Sequence, residues 1–307
     1  MNLPVSDVYQ SRTDGEAAIM RRRDPVVYGS ADDAGLPEHQ LKSYQKNGFV
    51  FLKEFFSPAE VSAMLEEAQR MAADPQIRGR EEAIPEPGSD EVRSVFDAHR
   101  LNPLFDRVAR DARLVAITRQ ILGSEVYMHQ SRINLKPGYV GKDFYWHSDF
   151  ETWHIEDGMP RMRALSCTIL LTDNNEFNGP LLLVPGSHMH YISCIGETPE
   201  NHYKASLKKQ EVGVPDSMSL NFLIERRGIR AMKGVAGSVI LFDCNTMHGS
   251  NSNISPYPRS NLFMVYNSVE NRLNPPRYGL SPRPDFIAAR EHTEALAPVE
   301  TDYAGWR

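Results

Sequence analysis

Cysteine is scarce in this 307-residue chain: Cys167, Cys194 and Cys244 are the three present, and they are too scattered for a disulfide framework. Free thiols in a reducing cytosol are expected. Long apolar runs are also missing. The longest, Leu262 to Tyr266, falls far short of the roughly 18 residues of a membrane span. Arg21, Arg22 and Arg23 are followed by no apolar stretch, so no secretory leader is expected. Nor is there a basic stripe. With 34 Lys and Arg against 40 Asp and Glu, the net charge is −6, and the phosphate attraction that nucleic-acid binding requires is absent. Repeats and low-complexity tracts are lacking too. What remains is a globular composition, 41% hydrophobic and 24% charged, long enough to bury a large core.

The hydrophobic pattern changes along the chain. Residues 1–35 are polar and rich in turn formers and read as an N-terminal arm. A weak helix should follow Pro37, and Val50-Phe51-Leu52 should form a short buried strand. Ser57-Pro58-Ala59-Glu60 has the form of a capping box with proline at the first helical position, and Val61, Met64, Leu65, Ala68 and Met71 recur at helical spacing behind it. The segment from Ile84 to Asp97, with its two prolines and four acids, reads as a loop; Asn102-Pro103 opens a second helical stretch that Gly123 ends.

From about Glu125 the period becomes 2. The predicted strands are Val126–Leu135, Phe144–Ser148, Ala164–Leu171, Leu181–Val184, Ser238–Asp243 and Asn261–Asn267. The expected fold is therefore mainly β with flanking α: a double-stranded β-helix of the jelly-roll or cupin type with helices packed on its major sheet. One domain spans 36–290, with a helical part over 36–123, a jelly-roll core over 124–290, an insertion at 194–237 that could cover a site mouth, and a tail over 291–307.

The chemistry concentrates in Phe144-Tyr145-Trp146-His147-Ser148-Asp149. On an extended chain His147 and Asp149 face the same side and can place one nitrogen and one oxygen on a single ion. His248, separated from Asp149 by 98 intervening residues, can return on a neighbouring strand to complete a two-His, one-carboxylate face, the arrangement of Fe(II) oxygenases with open positions for cosubstrate and O₂. Arg259, eleven residues further on, opens the strand bearing Asn261, Phe263, Val265 and Asn267 on one side, and its planar guanidinium suits the distal carboxylate of a 2-oxoacid. His188 and His190 form another His-x-His pair but follow a turn. His154 has the wrong parity for the His147 face and reads as structural. Cys244 has no companions for a zinc site and reads as a buried thiol.

His147-x-Asp149, His248 and Arg259, together with Asn178-Gly179-Pro180-Leu181 and Pro185-Gly186-Ser187-His188, resemble the phytanoyl-CoA hydroxylase-like family of Fe(II)/2-oxoglutarate dioxygenases. The runs Phe144 to Pro160, His129-Gln130-Ser131-Arg132, Ser206 to Glu211 and Leu241 to Asn245 are similar to those of the ectoine hydroxylase branch, and the match covers most of residues 40 to 290. The resemblance implies conversion of ectoine to 5-hydroxyectoine, a compatible solute of osmotic stress, with 2-oxoglutarate and O₂ consumed and succinate and CO₂ released. It also implies iron on His147, Asp149 and His248, and 2-oxoglutarate on Arg259, Asn134, Ser250 and Lys136. Substrate contacts would come from Gln130, Trp153, Phe263 and Thr152, in a cytoplasmic homodimer. Two rival readings stay open: a hydroxylase of another small zwitterion such as a proline-like amino acid, and a cupin-like binding protein without turnover.

Overall fold

The structure, a computed structural model, describes residues 7–207 and 211–300. Its first half runs β1 (Ile19–Arg21), α1 (Glu38–Asn47), β2 (Phe49–Leu52), α2 (Pro58–Ala73), α3 (Pro75–Arg78), β3 (Ala83–Pro85), β4 (Val92–Phe96), α4 (Ala98–Leu101), α5 (Pro103–Ala109) and α6 (Ala112–Leu122). There follow β5 (Val126–Lys136), β6 (Phe144–His147), α7 (Asp149–Glu156), β7 (Ala164–Leu170), β8 (Leu181–Leu183), β9 (His190–Ile192), α8 (Tyr203–Ser206) and α9 (Ser217–Arg227). The last strands are β10 (Arg230–Ala231), β11 (Val239–Asp243), β12 (His248–Ser250) and β13 (Arg259–Ser268).

Two antiparallel sheets face each other, as the jelly-roll expectation required. The larger has the order β2-β11-β7-β13-β5-β4-β3, and the smaller β10-β8-β12-β6. Period-2 alternation assigns each residue to a layer. Leu165, Cys167 and Ile169 of β7, Val239 and Leu241 of β11, and Leu262 and Met264 of β13 point outward into a core shared with Tyr44, Met64, Leu104 and Leu114 of the helices. Between the sheets lie Leu170, Ile240 and Phe242, packed on Leu181 and Leu183 of the smaller sheet. Arg132, Asn134 and Lys136 of β5 and Arg259 and Phe263 of β13 line the site described below.

Local signals explain the helix ends. Ser57 Oγ accepts from Glu60 N–H and the Glu60 carboxylate accepts from Ser57 N–H at 2.6 Å, so the capping box closes at the start of α2. Asn102 caps α5 and Gly123, at φ 59°, ends α6. The single helical stretch expected there is two helices, because Asp111 interposes a new cap that accepts from Arg113 N–H at 2.9 Å.

Two expectations are corrected. Residues 84–97 are not a loop: β3 and β4 form a hairpin that adds to the edge of the larger sheet through β5, and Pro85 is tolerated because it sits on that edge beside a register shift. Nor do the described residues up to 35 form a free arm. Tyr9, Arg12, Arg22 and Asp24 are buried, and β1 pairs with β9. These polar residues go inside because each finds a distant partner: Arg22 donates to Asp243 Oδ1 at 2.7 Å, and the Tyr9 hydroxyl to Asp24 Oδ2 at 2.9 Å.

Within the 194–237 stretch, β10 extends the smaller sheet, α9 packs Leu220 and Leu223 on Val184, Ile192 and Met247, and Leu207 reaches the site cavity. Lys208 to Gln210 of the motif quoted above, residues 1–6 and residues 301–307 lie outside the described residues. No helix among the described residues is long and apolar enough to cross a membrane.

Candidate active site

The site is built where the smaller sheet meets α7. β6 and β12 pair so that His147 stands directly opposite His248, and the two imidazole centroids are 4.2 Å apart. Asp149 is the first residue of α7, after Ser148. Its Oδ1 lies 3.7 Å from His147 Nε2 and 3.8 Å from His248 Nε2. The extended-chain argument reached the right pair by a different geometry, since the strand stops at His147 and a strand-to-helix corner, rather than two successive strand positions, turns Asp149 toward the imidazole. The short strand β12 is the neighbouring strand on which His248 was expected to return, although the pattern did not mark it among the predicted strands.

Each ring is oriented by the chain that carries it. His147 Nδ1 faces the Tyr145 carbonyl at 2.8 Å and His248 Nδ1 the Thr246 carbonyl at 3.0 Å. With Nδ1–H donating to a carbonyl, both Nε2 lone pairs are presented to the centre. Burial, then the neighbouring His248, push the His147 imidazole down to about 3, so it is the neutral base that metal ligation needs. Asp149 Oδ2 accepts from the Ser166 hydroxyl at 3.1 Å, leaving Oδ1 for an ion. All three ligand atoms lie within 4.8 Å of one another. Two imidazole nitrogens and one carboxylate oxygen on one face fit a divalent transition ion with open coordination positions.

The second half of the site is cationic. Arg259 begins β13 and is in register with Lys136 at the end of β5. Only 3% of Arg259 is exposed; its guanidinium donates to the Gly179 carbonyl at 2.6 Å and to Asn134 Oδ1 at 3.0 Å, and its Nε has no partner. The Lys136 ammonium, equally buried, donates to Ser250 Oγ at 2.9 Å and to the Asn251 carbonyl at 2.6 Å. Among the described residues no carboxylate pairs with either group. Burial, then Arg259 and Arg93, push Lys136 down to about 6, and burial with Arg93 and Arg132 pushes Arg259 down to about 10. The four residues assigned to 2-oxoglutarate by resemblance thus form two hydrogen-bonded pairs, Arg259–Asn134 and Lys136–Ser250, brought side by side by the register of β5 and β13.

Of the four substrate candidates, Phe263 lines the cavity, which also includes His147, His248, Lys136 and Arg259. Gln130 is buried beside it, donating to the Ile287 carbonyl at 2.7 Å and accepting from Arg132 at 3.2 Å. Thr152 and Trp153 follow Asp149 at helical spacings of three and four, so the three residues share one face of α7. Trp153 packs with Tyr9, Phe150 and Val265 and presents an edge to His129 at 5.2 Å.

The other histidines are elsewhere. His188 is buried and hydrogen bonds the Gln45 carbonyl, His190 lies outside the metal cluster, and His154 ties Met159 O to Asp7. Cys244 is a buried free thiol.

Sequence reasoning missed Arg132, whose guanidinium covers the Phe263 ring at 4.9 Å and lines the cavity. A signal was available, because Arg132 lies between Gln130 and Asn134 with the same strand parity. Arg93, held by Glu86 at 2.8 Å, and Phe96 on β4 were missed because their strand was.

With this geometry established, the comparisons with known proteins can be read. Residues 44–261 match the family described as phytanoyl-CoA dioxygenase (PhyH). The ectoine dioxygenase of Bordetella bronchiseptica is 63% identical over 299 residues, covering 97% of both chains. The crystal structure of EctD from S. alaskensis with 2-oxoglutarate and 5-hydroxyectoine superposes with a TM-score of 0.88 at 46% identity, over 97% of this chain and 99% of that one. The same enzyme with bound Fe gives 0.87 at 45% identity, with the same coverage. The match to the family over most of the chain, and the relatives alike along nearly its whole length, lead to one conclusion: this chain belongs to the phytanoyl-CoA dioxygenase family.

Proposed function

We propose that this protein hydroxylates ectoine to 5-hydroxyectoine, using Fe(II), 2-oxoglutarate and O₂ and releasing succinate and CO₂. The observation that carries the reading is the juxtaposition of an open His147–Asp149–His248 face with two buried cations, Arg259 and Lys136, that have no carboxylate of their own among the described residues. Full-length likeness to ectoine dioxygenases supports the choice of substrate.

His147, Asp149 and His248 would hold the metal, and Fe(II), when bound, supplies with O₂ the oxidising power that no protein side chain has. Every other task falls to the chain. Arg259 and Lys136 would take the 2-oxoacid carboxylate, with Asn134 and Ser250 holding the two cations in place. The aromatic faces of Phe263 and Trp153 suit a delocalised amidinium ring, and Gln130 and Thr152 offer polar contacts for the carboxylate end. Three buried free thiols support a reducing, cytoplasmic setting. The family resemblance supports a homodimer, which light scattering on the purified protein checks.

The deciding experiment loads the protein anaerobically with Fe(II) and 2-oxoglutarate, then adds O₂ with ectoine or, separately, proline. Formation of 5-hydroxyectoine with stoichiometric succinate, identified by NMR, is the expected result. Hydroxyproline alone would move the assignment to another zwitterion, and binding without succinate would make the protein a non-catalytic cupin.

A further inference from the structure

Helix α7 is fastened at its two ends by different means. The first turn, with Asp149, belongs to the β core: Phe150 N–H donates to the Cys244 carbonyl at 2.8 Å, and Ser166 holds Asp149. From Glu151, two residues after Asp149, to its last residue the helix presents Glu151, Thr152 and Glu156 to a single guanidinium from the N-terminal segment. Arg12 Nε donates to Glu151 Oε1 at 3.1 Å; one terminal nitrogen donates to Glu151 Oε2 at 2.9 Å and to Thr152 Oγ1 at 3.4 Å. The other donates to Glu156 Oε1 and, at 2.7 Å, to Thr198 Oγ1.

The backbone is committed to this arrangement. Arg12 has φ 56°, a left-handed conformation that side chains with a Cβ seldom adopt. It is held there by its own N–H, which donates to the Cys194 carbonyl at 2.7 Å. Ser11 Oγ donates to Glu151 Oε1 at 2.6 Å and accepts from Cys194 N–H at 2.8 Å. Gly213, at φ 72°, lies flat against the ion pair: a Cβ there would stand 2.5 Å from both Arg12 and Glu151. One buried side chain therefore joins the N-terminal segment, the Thr152 side of α7, the 194–198 stretch and the Gly213 turn.

Stability alone does not call for such a device, since well-packed apolar residues replace buried ion pairs at little or no cost. A planar fork that divides its donors between α7 and Thr198 fixes orientation instead. We propose that Arg12 is a positioning residue for the substrate: it sets the face of α7 that bears Thr152 and Trp153, and it locks the 194–198 stretch to that helix. The proposal rests on the ectoine reading above. It distinguishes the two ends of α7, because the metal ligand at the near end has anchors of its own.

The test measures ectoine binding by calorimetry to anaerobic protein loaded with Fe(II) and 2-oxoglutarate, alongside KM values, metal content and thermal melting, for wild type, Arg12→Gln, Arg12→Lys and Thr198→Val. Arg12→Gln should weaken ectoine binding and raise its KM by about tenfold or more. Iron content and the KM for 2-oxoglutarate should stay within about twofold. Arg12→Lys, which keeps the charge but not the fork, and Thr198→Val, which removes one acceptor without touching Arg12, should fall between wild type and Arg12→Gln. If ectoine affinity is unchanged in Arg12→Lys and Thr198→Val while activity falls only with the folded fraction, Arg12 is a fold fastener and the proposal is overturned. Equal losses for 2-oxoglutarate and ectoine would also overturn it. A wild type that takes up iron and 2-oxoglutarate but no ectoine would instead defeat the substrate reading itself.

Discussion

The buried cations on the α7 side of the molecule and those beside the metal face are treated in opposite ways. Around α7, Arg12 lies on Glu151 and Glu156, and Arg283 makes a two-pronged contact with Asp157 in which its Nε donates to Oδ1 at 2.7 Å. Beside the metal face, Arg259, Lys136 and Arg132 rest on carbonyls, a hydroxyl, amides and aromatic rings. Burying a charge costs several kcal/mol unless an opposite charge accompanies it. The first group is compensated within the chain and is architecture. The second has no carboxylate partner among the described residues; its Lys136 is neutral above about pH 6 in the ligand-free fold, and a ligand that brings the anion compensates the group. Pairing state, more than burial or charge, separates Arg12 and Arg283 from Arg259, Lys136 and Arg132, while Arg93 at the cavity wall is held by Glu86 as scaffold.

The metal face stands between these zones, and breaking it should have the largest effect. His147→Ala, Asp149→Ala or His248→Ala should abolish iron retention and turnover together, because each removes one of three ligands. Metal analysis and succinate formation check this, and an active, metal-free variant would refute the assignment. The next effect falls in the paired zone. Asp157→Asn removes the nearer charge partner of the buried Arg283, leaving Glu156 at 3.7 Å, and should destabilise the fold by about 3–5 kcal/mol, read by denaturant melting, with little change in the KM for 2-oxoglutarate. Arg259→Met should do the reverse. It should raise that KM about 100-fold, equivalent to about 2.7 kcal/mol, leave the KM for ectoine nearly unchanged and cost the ligand-free fold less than Asp157→Asn does. Equal stability losses for the two variants would erase the distinction between the zones.

What could be read from the sequence was what lies close together in it or repeats with a period. The capping box at Ser57, the alternation in β5, β7, β11 and β13, and the His147-x-Asp149 pair are all contained within about a dozen residues each, and all are present in the structure. The companion ligand His248 was legible as a residue but not as a strand, because His248-Gly249-Ser250 is too short and too polar to show a period. The β3–β4 hairpin was hidden by Pro85 and its acidic neighbours. The N-terminal segment was misjudged for a more general reason. Its burial depends on partners such as Glu151, 139 residues away from Arg12, and polarity by itself gives no sign of a remote counter-charge. Arg259 was found and Arg12 was not, although both are buried arginines; only one lies near a recognisable motif.

The smallest effect is also the finest measure of the unpaired zone. Lys136 has an ordinary value of 10.5 and is pushed down to about 6 by burial, then by Arg259 and Arg93. Its folded-state pKa is lowered, so the ligand-free folded protein holds this group neutral above about pH 6 while the unfolded chain keeps it charged. Stability from this group therefore rises with pH between those two values. An arriving carboxylate reverses the local field and favours the ammonium. Binding of 2-oxoglutarate near pH 8 should then draw about one proton from solution per site. Anaerobic calorimetry in two buffers of different protonation enthalpy reads that proton directly. The uptake should fade as the pH falls below about 6, where Lys136 is already charged, and should vanish in Lys136→Met. Proton release on binding, or an uptake that persists in Lys136→Met, would mean that the anion is compensated elsewhere and that Lys136 belongs with the scaffold.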